Sequence, residues 1–517
     1  MDFENFATDF DVANGKWAFG ITGSGPSLRL IDTLEQHGVK FITTGHESTA
    51  ALMAGAYGRL TGNPAIAISI KGPGFMNLLP GLLSNAYEGY PSLSVSESYP
   101  SDHTGPRNHK WLDQRRAGQE FLKQHRYFAS DAGYLNSCWA QAQHEFPGPV
   151  HIDLTAGSEH RDPPHNVHAA PPSSALMGAL ERSARPLLIV GSLGLRAGWG
   201  GSLKKLGIPI FTTPAAKGLV DETDPFAAGV FTGAGKPATA EKTLLGETDL
   251  LITLGVRSGE LLNPTFDTAR SVHIDNIIIS SDTLFPARSL NAPTEVLNNA
   301  DIATVIERLM EKSWGLELLA ECHSRLDDAV SGYGWSPAHA MRLIQAALPS
   351  ATHILDTGNF TVLAEHFLKA RTTTSVIGTP NGRYMGAGLG YALGASIALP
   401  DNPIVLWVGD GGLRMSIGEL ALAAEQGCKL LVVVIKDGYF GSIRGNAMVN
   451  ELTQAPVTLS ERSPLAIAQS MGIDGRVVTN GSDLAQGLDE WRRDLKPSLF
   501  ECVVDADEYI EQAGRLR

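Results

Sequence analysis

Residues Val408–Ser442 read VGDGGLRMSIGELALAAEQGCKLLVVVIKDGYFGS and contain the pattern of a helix between two strands. Ile404–Val408 and Leu430–Ile435 are unbroken apolar runs, which is typical of strands buried in a parallel sheet. Met415–Gln426 has helical spacing, and we expect Gly427 to end that helix. The pattern predicts a strand–helix–strand unit of an open α/β sheet.

An aspartate follows each of these two strands. Asp410 lies within Gly409-Asp410-Gly411-Gly412, and Asp437 comes after the second strand. Because a right-handed crossover brings both strand ends to the ligand-binding edge of the sheet, we expect the two carboxylates to share one cation. Mg²⁺ is commonly held by one or two carboxylates plus phosphate oxygens, and glycine turns let backbone N–H groups approach phosphate. The sequence predicts a metal–diphosphate site, with a tight turn in which Asp410 caps a helix as the alternative.

The composition limits the classes of partner. The chain has 517 residues, with 41 Lys and Arg against 55 Asp and Glu, giving a net charge of −14. This charge disfavours nucleic acid or an anionic membrane as the main partner and favours small-molecule chemistry. The four cysteines have no paired spacing, so neither a disulfide framework nor a zinc site is predicted. Residues 1–15 lack the pattern of a signal peptide and no apolar run reaches the length of a membrane span, so we expect a cytoplasmic protein.

Short apolar strands alternate with helical runs in three successive blocks. This pattern predicts an α/β protein of three consecutive open α/β domains, which also agrees with the length. A proline-rich segment, Arg161–Ser174, is expected to link the first two blocks, and the polar stretch His323–Pro337 leads into the third. The predicted strands, besides the two above, are Lys40–Thr43, Ala65–Ser69, Ser92–Ser96, Val150–Leu154, Pro186–Val190, Pro209–Thr213, Leu250–Leu254, Ser271–Ile274, His353–Asp356 and Leu499–Val504.

Six short motifs occur in a characteristic order along nearly the whole chain. They are Gly45-His46-Glu47, Lys71-Gly72-Pro73-Gly74 with Asn77, Thr212-Thr213-Pro214 with Lys217-Gly218, Met385-Gly386, Gly409-Asp410-Gly411 and Asp437-Gly438. Their order resembles the thiamine-diphosphate (ThDP) enzymes of the acetolactate synthase, benzoylformate decarboxylase and pyruvate decarboxylase type. The resemblance implies ThDP and Mg²⁺ as cofactors and three domains: pyrimidine-binding (1–162), central Rossmann-like (173–321) and diphosphate-binding (332–517). It also implies a homodimer or homotetramer, with the cofactor between the first domain of one subunit and the third domain of its neighbour.

The resemblance assigns roles to single residues. Glu47 matches the catalytic glutamate that holds a proton at N1′ of the aminopyrimidine. The alternative for Glu47 is an ordinary first-turn glutamate, favoured by the helix dipole. Met385 matches the apolar wedge beneath the cofactor, with core packing as its alternative. The implied metal ligands are Asp410, Asp437 and the carbonyl of Tyr439. The other implied cofactor-binding residues are Gly72, Asn77, Thr357, Gly358, Asn359, Gly409, Gly411, Gly412, Phe440 and Gly441.

Several positions depart from the family pattern or bear on the substrate. Lys436-Asp437 replaces the usual pair of asparagines, and we expect Lys436 to offset the added negative charge. Arg383 stands where relatives often have glycine. Lys71 replaces a small hydroxyl residue, so we expect it to bind an anionic group of the substrate or to donate a proton. The remaining candidates are His46 and His109 as catalytic residues, and Arg444 as a clamp for a substrate carboxylate.

The implied activity is that of a 2-oxo acid decarboxylase or carboligase similar to acetolactate synthase, acting on a small molecule with an extra anionic group. After loss of CO₂, the enamine is protonated or attacks a second carbonyl compound. A non-catalytic ThDP-fold subunit with a regulatory or assembly role is the alternative, motivated by the substitutions at Lys71, Arg383 and Lys436-Asp437. A third hypothesis, a Rossmann-type dehydrogenase, requires a complete dinucleotide fingerprint, and Gly191-Ser192-Leu193-Gly194 is only a weak one.

Overall fold

Each of the three blocks folds around a sheet of six parallel strands. The computed structural model of the chain describes residues 1–100, 109–155, 169–257, 259–261, 267, 269–276 and 294–517. Every strand pair within the three sheets is parallel. The predicted fold class, three consecutive open α/β domains, is confirmed. Residues 161–168 of the predicted linker lie outside the described residues.

The first domain has the strand order β2-β1-β3-β4-β6-β5. Its strands are β1 (Trp17–Gly20), β2 (Lys40–Thr43), β3 (Ile66–Ser69), β4 (Ser92–Glu97), β5 (Gln124–Tyr127) and β6 (Pro149–Leu154). Its helices are α1 (Glu4–Val12), α2 (Pro26–Gln36), α3 (Glu47–Thr61), α4 (Pro73–Glu88), α5 (Gln114–Gly118) and α6 (Tyr134–Gln143). Strands β3, β4 and β6 are buried along their whole length, as expected for a parallel sheet covered on both faces.

The central domain has the order β12-β11-β10-β7-β8-β9. Its strands are β7 (Pro186–Val190), β8 (Ile210–Thr212), β9 (Ala227–Val230), β10 (Leu250–Leu254), β11 (Ser271–Asn276) and β12 (Thr294–Leu297). Its helices are α7 (Ser174–Arg182), α8 (Leu193–Arg196), α9 (Gly200–Leu203), α10 (Ala240–Glu247), α11 (Asn299–Met310) and α12 (Leu316–Ser331), with a 3₁₀ turn at Pro214–Ala216. More than half of the polar stretch before the third block belongs to α12, which buries Leu319, Cys322 and Val330.

The third domain has the order β14-β13-β15-β16-β18-β17, which is the order of the first domain repeated. Its strands are β13 (Thr352–Leu355), β14 (Val376–Gly378), β15 (Ile404–Gly409), β16 (Leu430–Lys436), β17 (Asp474–Val478) and β18 (Ser498–Val503). Its helices are α13 (Pro337–Ala347), α14 (Asn359–Phe367), α15 (Gly388–Ala398), α16 (Asp410–Leu413), α17 (Leu420–Glu425), α18 (Gly441–Val449), α19 (Pro464–Ser470), α20 (Gly481–Trp491) and α21 (Ala506–Leu516), with 3₁₀ turns at Ile417–Glu419 and Ala455–Val457.

The helix predicted over Met415–Gln426 is shorter than expected. Its α-helical part is α17, and a 3₁₀ turn precedes it. Ser416 and Gly418 are weak formers of a helix interior, which accounts for the later start.

The first and third domains share one hydrophobic core. Helices α3 and α15 pack together, with Leu52 and Met53 on one side and Leu393 on the other. The two backbones approach closely at Gly394, where an added Cβ would lie 2.5 Å from the carbonyl oxygen of Met53. Cys138, Cys322, Cys428 and Cys502 are buried and free. Among the described helices, none combines the length and the apolar character needed to cross a bilayer.

Candidate active site

Three neighbouring strand ends of the third sheet form a cavity of about 150 Å³. Strands β13, β15 and β16 are adjacent and parallel, and the segments that follow them begin near Thr357, Asp410 and Asp437. The predicted meeting of the two aspartate-bearing strand ends is therefore confirmed. The lining includes Thr357, Gly358, Asn359, Phe360, Met385, Gly409, Asp410, Gly411, Gly412, Asp437, Tyr439, Phe440 and Gly441.

The two aspartates of this cavity are poorly solvated. Asp410 is buried, and burial raises the pKa of its carboxyl group. Burial also raises the pKa of Asp437 to about 6, with a further contribution from the negative charge of Asp410. Two carboxylates that disfavour each other's ionisation are stabilised when a cation lies between them.

A third oxygen is available at the same strand end. The backbone N–H of Tyr439 donates to Oδ1 of Asp437 over 3.0 Å, and the N–H of Phe440 donates to the carbonyl of Val457 over 2.9 Å. Within the described part of the chain, the Tyr439 carbonyl accepts no hydrogen bond. The described residues contain no group of three or more His, Cys, Asp or Glu suited to a metal ion. This site offers two carboxylates and one backbone carbonyl instead of three side chains. Such hard oxygen donors are the ligands that Mg²⁺ prefers.

Lys436 and Arg444 make their direct contacts away from the two aspartates. The Nζ of Lys436 lies 2.6 Å from Oε1 of Glu501, and its charge also acts to lower the pKa of Asp410, an effect smaller than that of burial. The guanidinium of Arg444 lies 4.2 Å from the centre of the Tyr439 ring and donates to Gln454 over 3.0 Å. A further guanidinium nitrogen of Arg444 lies 2.7 Å from Oδ1 of Asp507. Arg444 therefore holds the loop around the cavity in place, and of its guanidinium nitrogens only Nη1 has no hydrogen-bond partner among the described residues.

A second group of candidate residues meets in the first domain. Glu47 is buried at the start of α3, and the side-chain amide of Asn77 on α4 donates to its Oε2 over 2.9 Å. Gly72 precedes α4 with a φ of 63°. An added Cβ there would lie 2.3 Å from the carbonyl oxygen of Lys110, so both the conformation and the space require glycine.

The remaining candidates of the first domain lie in different surroundings. His46 is exposed and caps α3, because its Nδ1 accepts a hydrogen bond from the N–H of Ser48 over 3.1 Å. His109 is exposed. Lys71 is partly buried, with its Nζ 3.5 Å from Oε2 of Glu97 and 5.4 Å from the ring centre of Tyr99. Glu97 is a residue that the sequence analysis missed, although it is the last residue of the buried strand β4.

The cavity and the Glu47–Asn77 pair lie in different domains. All of the cavity's lining residues that the structure describes belong to the third domain, whereas Glu47, Gly72 and Asn77 belong to the first.

Models of three known domain families match successive parts of this chain. The N-terminal TPP-binding domain of thiamine pyrophosphate enzymes matches residues 13–124, their central domain matches residues 174–288, and their C-terminal TPP-binding domain matches residues 356–502. The chain belongs to the thiamine-diphosphate-dependent enzyme superfamily. The Glu47–Asn77 pair thus falls in the N-terminal TPP-binding domain, and the cavity with Asp410 falls in the C-terminal one.

The similar proteins include a synthase, a probable decarboxylase and a lyase. An acetolactate synthase large subunit of Parasynechococcus marenigrum is 27% identical, covering 94% of this chain and 84% of the relative. A probable 2-ketoarginine decarboxylase of Pseudomonas aeruginosa is 27% identical, covering 96% of this chain and 91% of the relative. A 2-hydroxyacyl-CoA lyase of Arabidopsis thaliana is 24% identical, covering 96% of this chain and 92% of the relative.

The loop that carries Met385 is anchored by buried carboxylates at both ends. Asp356, at the end of β13, accepts the N–H groups of Gly386 and Gly388 over 3.0 and 2.9 Å. Burial raises the pKa of Asp356 to about 6, although backbone N–H groups favour its ionised form. On the other side, Glu88 of α4 accepts the N–H of Gly382 over 2.7 Å. Both carboxylates were missed by the sequence analysis, and Asp356 carries the same signal as Asp410, an acid directly after a buried strand.

Arg383 in this loop also has a defined role. Its φ is 48°, a region in which glycine is favoured. Its guanidinium lies 2.7 Å from Oε1 of Glu365 on α14. The departures at Lys71, Arg383 and Lys436, which motivated the non-catalytic hypothesis, thus each have an acidic partner inside the fold.

In the central domain, the glycine loop Gly191-Ser192-Leu193-Gly194 already forms a hydrogen bond to a protein side chain. The N–H of Ser192, which a nucleotide phosphate would need, donates to the buried carboxylate of Glu260 over 3.1 Å. Thr213 donates to the same carboxylate over 2.9 Å. This arrangement does not favour the dehydrogenase hypothesis, since dinucleotide binding uses free N–H groups at this turn.

Proposed function

We propose that this chain is a ThDP- and Mg²⁺-dependent enzyme that removes CO₂ from a 2-oxo acid and then either protonates the product or joins it to a second carbonyl compound. The observation that carries the proposal is the strand-end cavity, in which Asp410, Asp437 and the free carbonyl of Tyr439 converge beside glycine turns. The relatives support either outcome, because they include acetolactate synthases and a probable 2-ketoarginine decarboxylase.

The donor set fits the cofactor. Asp410, Asp437 and the Tyr439 carbonyl would hold Mg²⁺, and the glycine turn at residues 409–412 would let the backbone approach the diphosphate closely. Met385 would support the ring system, on a loop that Asp356 and Glu88 hold in place. When bound, ThDP supplies a carbon nucleophile and an electron sink for the loss of CO₂.

The protein's own contribution to proton transfer is proposed for Glu47. Its carboxyl group is buried and oriented by Asn77, so a single oxygen, Oε1, is left to exchange a proton with the aminopyrimidine. An exposed carboxylate would rotate freely, whereas the hydrogen bond to Asn77 restricts this one. We propose that Glu47 of one subunit serves the cavity of a partner subunit, since the described lining of the cavity comes from the third domain alone. The unit would then be a homodimer or a homotetramer.

The substrate is proposed to carry a second anionic group. Lys71 is the residue that supports this, because its ammonium is partly buried in a first-domain loop next to Gly72 and lies at 3.5 Å from Glu97, a distance longer than a close ion pair. An incoming carboxylate, phosphonate or sulfonate would compete with Glu97 for this charge. Arg444 is already engaged by Gln454 and Asp507 and is not proposed as a substrate ligand.

Release of CO₂ tests the proposal. Purified protein would be mixed with ThDP, Mg²⁺ and a panel of 2-oxo acids, half of which carry a second anionic group. We expect CO₂ from at least one dianionic member, and loss of about 100-fold or more in Glu47→Gln. Lys71→Met should raise KM for that substrate more than it lowers kcat. No CO₂ from any member, with binding of ThDP intact, would contradict the proposed reaction.

A further inference from the structure

A second cleft lies between the central and third domains, away from the strand-end cavity. Its volume is about 520 Å³, within the range of sites that hold small metabolites. Its lining includes Glu222 and His323 from the central domain, and Arg342, His366, Lys369 and Arg371 from the third domain. The positive side chains are concentrated here although the chain as a whole carries a net charge of −14.

The acidic groups of this cleft already have partners, whereas two of its cations do not. The carboxylate of Glu222 lies 2.6 Å from Nζ of Lys217, and Asp327 pairs with Arg342. Neither Lys369 nor Arg371 has a carboxylate within 4.0 Å anywhere in the described ranges, although the charge of Arg371 helps to lower the pKa of Asp221 from a greater distance. Two unpaired cations in one concave site attract an anion that can contact both.

A buried histidine in the lining also lacks a partner. His366 is 6% exposed, and its Nε2 forms no hydrogen bond to any described residue. Burial lowers the pKa of His366 to about 4, so the ring is neutral at pH 7. A buried polar atom without a partner normally has a function or a missing ligand, and a neutral imidazole N–H is a good donor to a carboxylate or phosphate oxygen.

Helix α14 connects this cleft to the strand-end cavity. Asn359, its first residue, lines the cavity, and His366 and Phe367 at its other end line the cleft. The helix has 9 residues, which corresponds to a length of about 14 Å. Glu365 of the same helix pairs with Arg383 in the loop that carries Met385. A ligand that moved the end of α14 would therefore act on both sides of the cofactor cavity.

We propose that this cleft is a second ligand site, which binds a small metabolite with two or more carboxylate or phosphate groups and is coupled to the cofactor cavity through α14. The anion would bridge Lys369 and Arg371 beside the neutral ring of His366. Linkage requires that such a ligand change the affinity for ThDP by the same factor by which ThDP changes the affinity for the ligand.

Calorimetry on the full-length protein with ThDP and excess Mg²⁺ tests the site. The probes are 3-phosphoglycerate and succinate, which separate a phosphate requirement from a requirement for two carboxylates. We expect at least one probe to bind the wild type, and Arg371→Gln, at an exposed position, to weaken it by about tenfold. Lys369→Gln with Arg371→Gln should weaken it further. The control, Arg492→Gln with Lys496→Gln, removes the same charge from exposed residues that do not line the cleft and should change the affinity by less than about twofold.

Two results would overturn the proposal. One is the absence of binding of either probe up to about 10 mM, and the other is equal binding by the wild type and by the folded Arg371→Gln variant. The coupling is tested separately by titrating ThDP with and without the bound probe. We expect the ThDP affinity of the wild type to shift by about fivefold or more, in either direction, and that of the double variant to stay constant. An unchanged affinity in the wild type would refute the coupling through α14.

Discussion

Replacement of Glu88 by glutamine should change how the stability of the protein depends on pH. Glu88 is 8% exposed at the end of α4 and accepts the N–H groups of Gly382 and Asn381 over 2.7 and 3.2 Å. Burial raises the pKa of Glu88 from 4.5 to about 8, an effect larger than the opposing effect of these hydrogen bonds. Between these two pH values the folded protein holds a proton that the unfolded chain has lost. The stability contributed by this proton is therefore complete below about pH 4.5 and is lost as the pH rises through 8.

The size of the effect follows from the pKa difference. One pKa unit corresponds to about 1.4 kcal/mol, so the loss between pH 6 and pH 8 is about 2 kcal/mol. Glutamine does not titrate. The free energy of unfolding of the wild type should therefore fall by about 2 kcal/mol relative to Glu88→Gln over this range.

Urea denaturation at pH 6, 7 and 8, followed by tryptophan fluorescence, measures this difference. Glu425→Gln is the matched control, since Glu425 is an exposed glutamate of the third domain. Its difference from the wild type should stay constant over the three pH values. A constant difference for Glu88→Gln as well would refute the reasoning, because it would mean that Glu88 is ionised throughout and that its hydrogen bonds outweigh its burial.

Four other substitutions test separate parts of the structure. Glu145→Gln removes the carboxylate that two arginines share between the first and central domains, so urea denaturation should report a loss of about 3–5 kcal/mol. Lys436→Met leaves Glu501 without its cation and should lower the free energy of unfolding by about 3 kcal/mol. Calorimetry should find the Mg²⁺ affinity of this variant within about twofold of the wild type, and a larger change would mean that the charge of Lys436 acts at the metal site. His46→Ser keeps a helix cap and should leave the melting temperature unchanged, whereas His46→Ala should cost about 1 kcal/mol. Asp410→Ala should abolish calorimetric binding of ThDP with Mg²⁺, and retained binding would contradict its role.

The sequence predicted the strands with the longest apolar runs but missed β1 (Trp17–Gly20), a short apolar strand in the interior of the first sheet. Ile404–Gly409 and Leu430–Lys436 agree with the predicted strands to within one residue, because burial on both faces leaves only apolar side chains. Gln124–Tyr127 and Asp474–Val478 were missed. They lie at the edges of their sheets and carry polar residues, so no buried pattern marks them.

The sequence predicted those residues of the candidate site that form short motifs of neighbouring residues. The acids after β15 and β16 and the glycine turns between them are visible as short motifs. The partners that hold them are not, because Lys436 meets Glu501 across the sheet and Arg444 meets Asp507 on the last helix. Glu88 likewise contacts a loop almost 300 residues away in the chain, and no spacing rule connects two such segments.

Mixing two inactive variants tests the central claim most directly, that Glu47 of one subunit and the Asp410 cavity of another form one site. Glu47→Gln should bind ThDP without exchanging its C2 proton with solvent, and Asp410→Ala should not bind it. After the two variants are dissociated and reassociated in equal amounts, half of the dimers are mixed and each has one intact site. Proton exchange, followed by NMR without any substrate, should then return to about a quarter of the wild-type rate. Exchange that stays at the background of the separate variants would contradict the shared site.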